Sequence, residues 1–168
     1  MHIANAMLAP PRRRSSFPLA RIGRGATGSP QAYNAMMLAG GATEFNGSAL
    51  AFVMNVEAKM KVPAAIRNAQ YIDRLLGKLT ELGGQPAKES STIVSGTVVP
   101  PAIAIVCGVI EVLLAAEQGV RYHCVAYPVN SCVIQDIAAC RVMREFCDRA
   151  LADAGHADNE IAYAIHQW

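Results

Sequence analysis

"SGTVVPPAIAIVCGVIEVLLAAEQGV", residues 95–120, places two prolines inside the most apolar stretch of the chain. A strand cannot run through Pro100 and Pro101, because neither can donate to a ladder. A helix cannot run through them either. The stretch resolves when the prolines mark a joint. "TIVSGTVV" (92–99) is a short β-rich run and predicts a buried strand. Proline is tolerated at the first helical position, where the N–H has no partner anyway. The pattern therefore predicts a helix over 102–118, with Gly119 as its C-terminal glycine. "VRYHCVAY" (120–127) predicts the next strand. A strand–helix–strand unit with continuous apolar strands implies a parallel sheet covered on both faces.

The same unit recurs on either side of this joint. "LARIGR" (19–24) predicts a strand, followed by a helix with Ser29 as N-cap, Pro30 at its first position and Gly40 as its stop. "TEFNGSALAFVMN" (43–55) predicts a strand with a glycine interruption. In the segment 62–84, Ile66, Ala69, Ile72, Leu75, Leu76, Leu79 and Leu82 recur at helical spacing, and Gly83 and Gly84 end the helix. Residues 132–155 predict a fourth helix and "EIAYAIHQW" (160–168) a fifth strand. Five strands alternating with four helices define an α/β chain of parallel βα repeats with right-handed crossovers. An open doubly wound sheet and part of a (β/α)₈ barrel both satisfy that pattern. A closed barrel takes about 250 residues, and this chain has 168.

Composition bounds the rest. Hydrophobic residues make up 52% and charged residues 17%, enough to bury a core. The net charge of +2 hides an asymmetry: residues 1–43 hold five arginines and no acid, and the remainder carries 10 basic against 13 acidic residues. Residues 1–18 read as a basic, disordered arm and 19–168 as the folded domain. Pro10, Pro11 and Pro18 oppose the amphipathic helix of a transit segment, and no nucleic-acid motif follows the arm. Cys107, Cys124, Cys132, Cys140 and Cys147 form no C-x-x-C pair, which argues against a metal site. Their odd number favours a reducing cytoplasm. Val98 to Ala116 nearly reaches the ~20 residues of a membrane span, but the prolines and Glu111 oppose one. No phosphate-binding glycine motif or nucleophile elbow occurs, and His123, His156 and His166 stand without motif context.

Several segments then resemble one family in order and spacing: "QYIDRLLG" (70–77), the 95–120 stretch, "IQDIAACR" (134–141) and the terminal "HQW" (166–168). Over Phe17 to Trp168 the chain is similar to the epsilon subunit of glutamate mutase, also called methylaspartate mutase. The resemblance implies a TIM barrel, here a partial one. It also implies a radical carbon-skeleton rearrangement of glutamate to 3-methylaspartate, with adenosylcobalamin supplied by a separate small sigma-type subunit. The chain has no D-x-H-x-x-G, the cobalamin-ligating motif of that subunit.

The family holds its dicarboxylate substrate with arginines, whose planar guanidinium can pair two carboxylate oxygens at once. Arg24, in "RIGRGATGSP", is the one the resemblance places within this chain. The family's glutamate and two tyrosines along the next strand fall at Asn46, Phe52 and Val56. None of these offers the original group. Glu44, two residues before Asn46 and so on the same side of a strand, is the candidate catalytic substitute. Asn55, Glu89, Ser91 and Tyr127 are the positions implied to face the cofactor. Glu89 and Tyr127 are expected on one rim with Arg24. Pro128 and Val129 stand where the family has a glycine-rich turn. The residues that match best are framework and those that match worst would touch substrate, so impaired or altered activity is expected. The alternative is a partial barrel that only associates with other chains, through its open sheet edges.

Overall fold

The computed structural model describes residues 22–23, 30–55, 59–92 and 99–166. The chain order is β1 (Ile22–Gly23), α1 (Pro30–Ala39), β2 (Glu44–Asn46), α2 (Leu50–Asn55), α3 (Val62–Glu81), β3 (Ala87–Ser91), α4 (Pro101–Ala116), β4 (Tyr122–Pro128), α5 (Val133–Asp153) and β5 (Glu160–His166). The five strands are parallel and stand in the sheet in chain order, β1-β2-β3-β4-β5. That order contains no reversal, so it lacks the switch point of a doubly wound sheet. α1 packs on α3, α3 on α4 and α4 on α5. The principal helices therefore share one face of the sheet, and no described helix lies on the other.

The Pro–Pro joint works as the sequence predicts at its helical end. Pro100 is the N-cap residue of α4 and Pro101 its first residue. The helix stops two residues earlier than predicted, and Gly119 turns the chain at φ +92°, a conformation open to glycine at no steric cost. α3 matches its periodicity, burying Ala65, Ala69, Ile72 and Leu76 on one stripe.

Two strands differ from the prediction. The third described strand is Ala87–Ser91, before the run predicted as a strand; most of that run, residues 93–98, lies outside the described residues. Its sequence, AKESS, is polar, yet Lys88, Glu89, Ser90 and Ser91 are all buried. The burial is tolerable because the charge is paired: Lys88 Nζ bonds Asp73 of α3, itself buried. The second difference is in 43–55. β2 is only three residues long; the chain turns at Gly47 and enters the six-residue α2, giving five helices among the described residues where four were predicted. Glu111, buried in α4, accepts from the N–H groups of Ala49 (3.0 Å) and Leu50 (2.6 Å) at the start of α2. Those donors have no partner inside their own helix, so α4 supplies the cap.

Two apolar clusters fill the space between sheet and helices. Met37, Phe45, Ile72, Leu76, Ala115 and Val120 join α1, β2, α3 and α4. Val112, Val125, Tyr127, Met143, Cys147 and Leu151 join α4, β4 and α5. Two glycines allow close approach. A Cβ at Gly77 would lie 2.4 Å from the backbone oxygen of Gln118, and one at Gly108 would lie 2.8 Å from Thr92 Cγ2.

Candidate functional site

The register assigns each strand residue to a face. Phe45, Lys88, His123 and Ile161 form one row. Phe45 sits in a helix-side cluster and Lys88 pairs with α3, so this row faces the helices. Strand side chains alternate. Asn46, Glu89, Cys124 and Ala162 therefore form a row on the opposite face, with Ser91, Ala126 and Ala164 in the row beyond. Asn46 and Ser91 end their strands. The C-terminal ends of parallel strands are where α/β folds place their sites.

The polar groups at this rim are joined to one another. Asn46 Nδ2 donates to Ser91 Oγ at 3.0 Å, Ser48 Oγ to the Ser91 carbonyl at 3.0 Å, and Gly47 N–H to the Glu89 carbonyl at 3.2 Å. The turn after β2 is thereby tied to the end of β3. Glu89 is 2% exposed. Glu44 lies on the same face as Asn46, as the two-residue spacing predicts, and is half-buried.

The other predicted positions are distributed differently. Tyr127 is three residues beyond Cys124, the register partner of Glu89, so the two side chains take opposite faces. The expected common rim for Glu89 and Tyr127 is corrected accordingly. Tyr127 is fully buried in the β4–α4–α5 cluster, where its hydroxyl accepts from Asn130 Nδ2 at 2.9 Å. Burial pushes its phenol above the ordinary value. Phe52 is not on a strand but in α2, because the chain has already turned at Gly47. Asn55 is the last residue of α2. Arg24 and Val56 lie outside the described residues.

The β4–α5 loop closes the rim on the far side. Val129 N–H continues the ladder to the His166 carbonyl at 3.1 Å, and the Asn130 N–H donates to Asp136 Oδ1 at 3.0 Å. Ser131 takes φ 63°, which is uncommon for a residue with a Cβ. A glycine would adopt it freely.

Sequence reasoning missed the helix-side polar network. Lys88, Asp73 and Glu111 are buried together, each at 1–2% exposure. Burial raises the Asp73 carboxyl, with Lys88 opposing. Burial likewise raises Glu111, against the pull of Lys88 and the two N–H groups of Ala49 and Leu50. His123, beside Lys88 in register, is depressed to about 4, first by burial and then by the Lys88 charge. Asn159 Nδ2 lies 3.0 Å from both His123 Nε2 and the Val120 carbonyl, which suits the neutral imidazole as acceptor. The available signal was Glu111, the lone charge in an apolar helix. Among the described residues, no group of three or more His, Cys, Asp or Glu side chains is placed to hold a metal ion, and no helix is long and apolar enough to cross a membrane.

A parallel βα-repeat domain with unreversed strand order and linked polar groups at its C-terminal rim defines the class of chain: an α/β domain of βα repeats. Comparison narrows the class. The family model described as Methylaspartate mutase E chain (MutE) matches residues 19–168. The glutamate mutase epsilon subunit of Treponema denticola is 37% identical over 130 residues, covering 77% of this chain and 27% of the relative. The epsilon subunit of Halobacterium salinarum is 36% identical over 134 residues, covering 80% and 27%. That of Escherichia coli O157:H7 is 33% identical over 131 residues, covering 78% and 27%. The chain belongs to the methylaspartate mutase E chain family. It spans about a quarter of the length of these curated relatives.

Proposed function

We propose that the chain is a substrate-subunit-type component of an adenosylcobalamin-dependent carbon-skeleton mutase, an isomerase of the glutamate to 3-methylaspartate kind. In this reading it is part of a (β/α)₈-type barrel. Family membership and the unreversed strand order support that geometry. The observation that carries the functional reading is the linked set Asn46, Glu89 and Ser91 at the C-terminal ends of β2 and β3, on the face away from the helices. Arg24 is the anionic anchor of the proposal, because a guanidinium can grip a carboxylate by two oxygens. Glu44, two residues before Asn46 on the same face, is the carboxylate proposed to replace the family's glutamate at Asn46.

The described residues do not fit an adenosylcobalamin seated directly on this rim. Glu89, Ser91 and Tyr127 are buried. Pro128 ends β4 and the Val129 N–H is held by the His166 carbonyl, so the strand end lacks the glycine that close approach of a large group needs, and the Asn130 N–H is already bonded to Asp136. The cofactor would stay with a separate small sigma-type subunit, and turnover by this chain is impaired or redirected to another substrate.

The test mixes the purified chain with a cobalamin-loaded small subunit and glutamate and follows methylaspartate by NMR. Turnover well below that of a full-length epsilon subunit is expected; equal turnover overturns the impairment. Glutamate binding is measured by calorimetry beside Arg24→Lys, which keeps the charge but loses the bidentate geometry. Weaker binding by the variant supports the site. Absence of any binding to the parent chain would favour a purely associative role. Among the described residues β5 ends the sheet with one side unpaired, which supports that second reading.

A further inference from the structure

α4 is apolar on every side. Between Pro101 and Ala116 its one charged residue, Glu111, is buried, yet Ile103, Val106 and Ile110 are 44%, 56% and 38% exposed. α5 lies alongside and exposes Val142 and Phe146. The two helices frame a groove of about 440 Å³, within the range of roughly 300–1,000 Å³ usual for small-molecule sites. On α5 it runs from Val142 past Phe146 to Arg149 and Asp153, about 16 Å along the helix. Apart from Arg149 and Asp153, every lining side chain is apolar.

The body of the groove and its end select different parts of a ligand. An extended peptide in the body would leave its N–H and C=O groups without partners, because the backbones of the two helices bond internally. An alkyl chain has no polar group to satisfy. Extended, it advances about 1.3 Å per bond, so about ten to twelve carbons match the length. The end is charged in a defined order. Arg149 and Asp153 are one turn apart on the same face of α5 and both are exposed. Neither forms an ion pair or a side-chain hydrogen bond among the described residues. An acid placed N-terminal to a base pairs better along a helix than this reverse order does. Asp153 is also the last residue of α5, at the end of the helix dipole that favours cations. Moving out of the groove, a ligand meets first a cation and then an anion, each available to it.

We propose that the α4–α5 groove binds a single-chain zwitterionic amphiphile whose anionic group lies next to the alkyl chain and whose ammonium lies beyond it, as in an alkyl phosphocholine or a lysophospholipid. The chain lies between α4 and α5. The phosphate oxygens meet the Arg149 guanidinium, which can donate two N–H bonds at once, and the ammonium meets the Asp153 carboxylate. Four residues of helix separate the two side chains by about 6 Å, a distance that a phosphate and an ammonium joined by an ethylene bridge can match. A zwitterion built in the reverse order would set its ammonium against Arg149. The site is separate from the rim of the sheet and independent of any mutase activity.

Titration calorimetry of the 168-residue chain with decylphosphocholine, held below its micelle-forming concentration, tests it. Saturable binding of one molecule per chain is expected. Decyl sulfobetaine, which carries its ammonium next to the chain, should bind about fivefold more weakly. Val106→Glu should abolish binding with unchanged far-UV circular dichroism, since Val106 is exposed and lines the groove. Arg149→Glu combined with Asp153→Lys should reverse the head-group preference in favour of the sulfobetaine, and both positions are exposed, so the fold should be unchanged by the same measure. No saturable binding to the unsubstituted chain overturns the proposal. So does equal affinity for the two head groups, a preference unmoved by the charge swap, or binding indifferent to Val106→Glu. Binding to phosphatidylcholine vesicles without binding of monomeric decylphosphocholine overturns it too, because the occupant would then be a bilayer surface.

Discussion

The Glu111 carboxylate, buried in α4, lies 2.6 Å from the N–H of Leu50 at the start of α2. The two residues are 61 positions apart, so the start of a six-residue helix is held by a side chain from another helix. Glu111→Ala removes the acceptor and leaves two buried donors. It should cost about 1–3 kcal/mol and accelerate hydrogen exchange at Ala49 and Leu50. Glu111→Gln keeps one acceptor oxygen and should cost less. Equal exchange in all three proteins would mean that α2 is held by packing alone.

Lys88 should be needed more for balance than for net stability. Lys88→Met leaves Asp73 and Glu111 buried without their cation. The expected loss is about 3–5 kcal/mol in urea unfolding, the usual result of breaking a buried ion pair from one side. Lys88→Met combined with Asp73→Leu should recover most of that loss. A double variant no more stable than the single one would show that the pair carries net stabilisation.

His123 predicts the direction of the acid response. Its folded-state value is about 4, below the ordinary 6.5, so the unfolded chain takes up its proton first. The contribution of neutral His123 is complete above about 6.5 and is lost as the pH falls toward 4, with a slope of at most about 1.4 kcal/mol per pH unit. Asp73 and Glu111 are shifted upward and act with the opposite sign: their contribution is present at low pH and lost as pH rises through their raised values. A comparison with His123→Gln isolates the imidazole. The variant's stability should fall less steeply between pH 7 and 5, and parallel curves would remove His123 as the cause.

Gly77→Ala should destabilise, although alanine ordinarily favours a helix interior over glycine by about 1 kcal/mol. The added Cβ would meet the Gln118 carbonyl at 2.4 Å, and backbone cannot rotate aside as a side chain can. A loss of about 1–3 kcal/mol is expected from the overpacking, read as a lowered thermal midpoint. A raised midpoint would mean that α3 and the turn after α4 can separate without cost.

The parts of the fold legible in the sequence are those whose signal is local. α3 announces itself by one apolar stripe with glycines at its end, and α4 by prolines at its start. β3 was not legible, because AKESS is polar and its burial depends on Asp73, which no periodicity links to Lys88. α2 was hidden for the same reason, its cap lying in α4. At the candidate site, alternation correctly put Glu44 and Asn46 on one face. It would also have separated Glu89 from Tyr127 had β3 been placed at Ala87–Ser91; the strand drawn over 92–99 removed the register needed to see that.

The chain-order sheet also has a kinetic consequence. Among the described residues each strand pairs only with the strand immediately before or after it in sequence, so no pairing skips a unit. Each pairing still spans a whole βα crossover, so the sheet forms more slowly than one linked by hairpins. Structure can grow outward from one βα unit, much as in repeat proteins whose units contact only their neighbours. β3 and β4, paired on both sides and tied to α4, are the expected starting point. β1 and β5 would join last and open first, so amide exchange should be slowest at the centre of the sheet and quicken toward each edge.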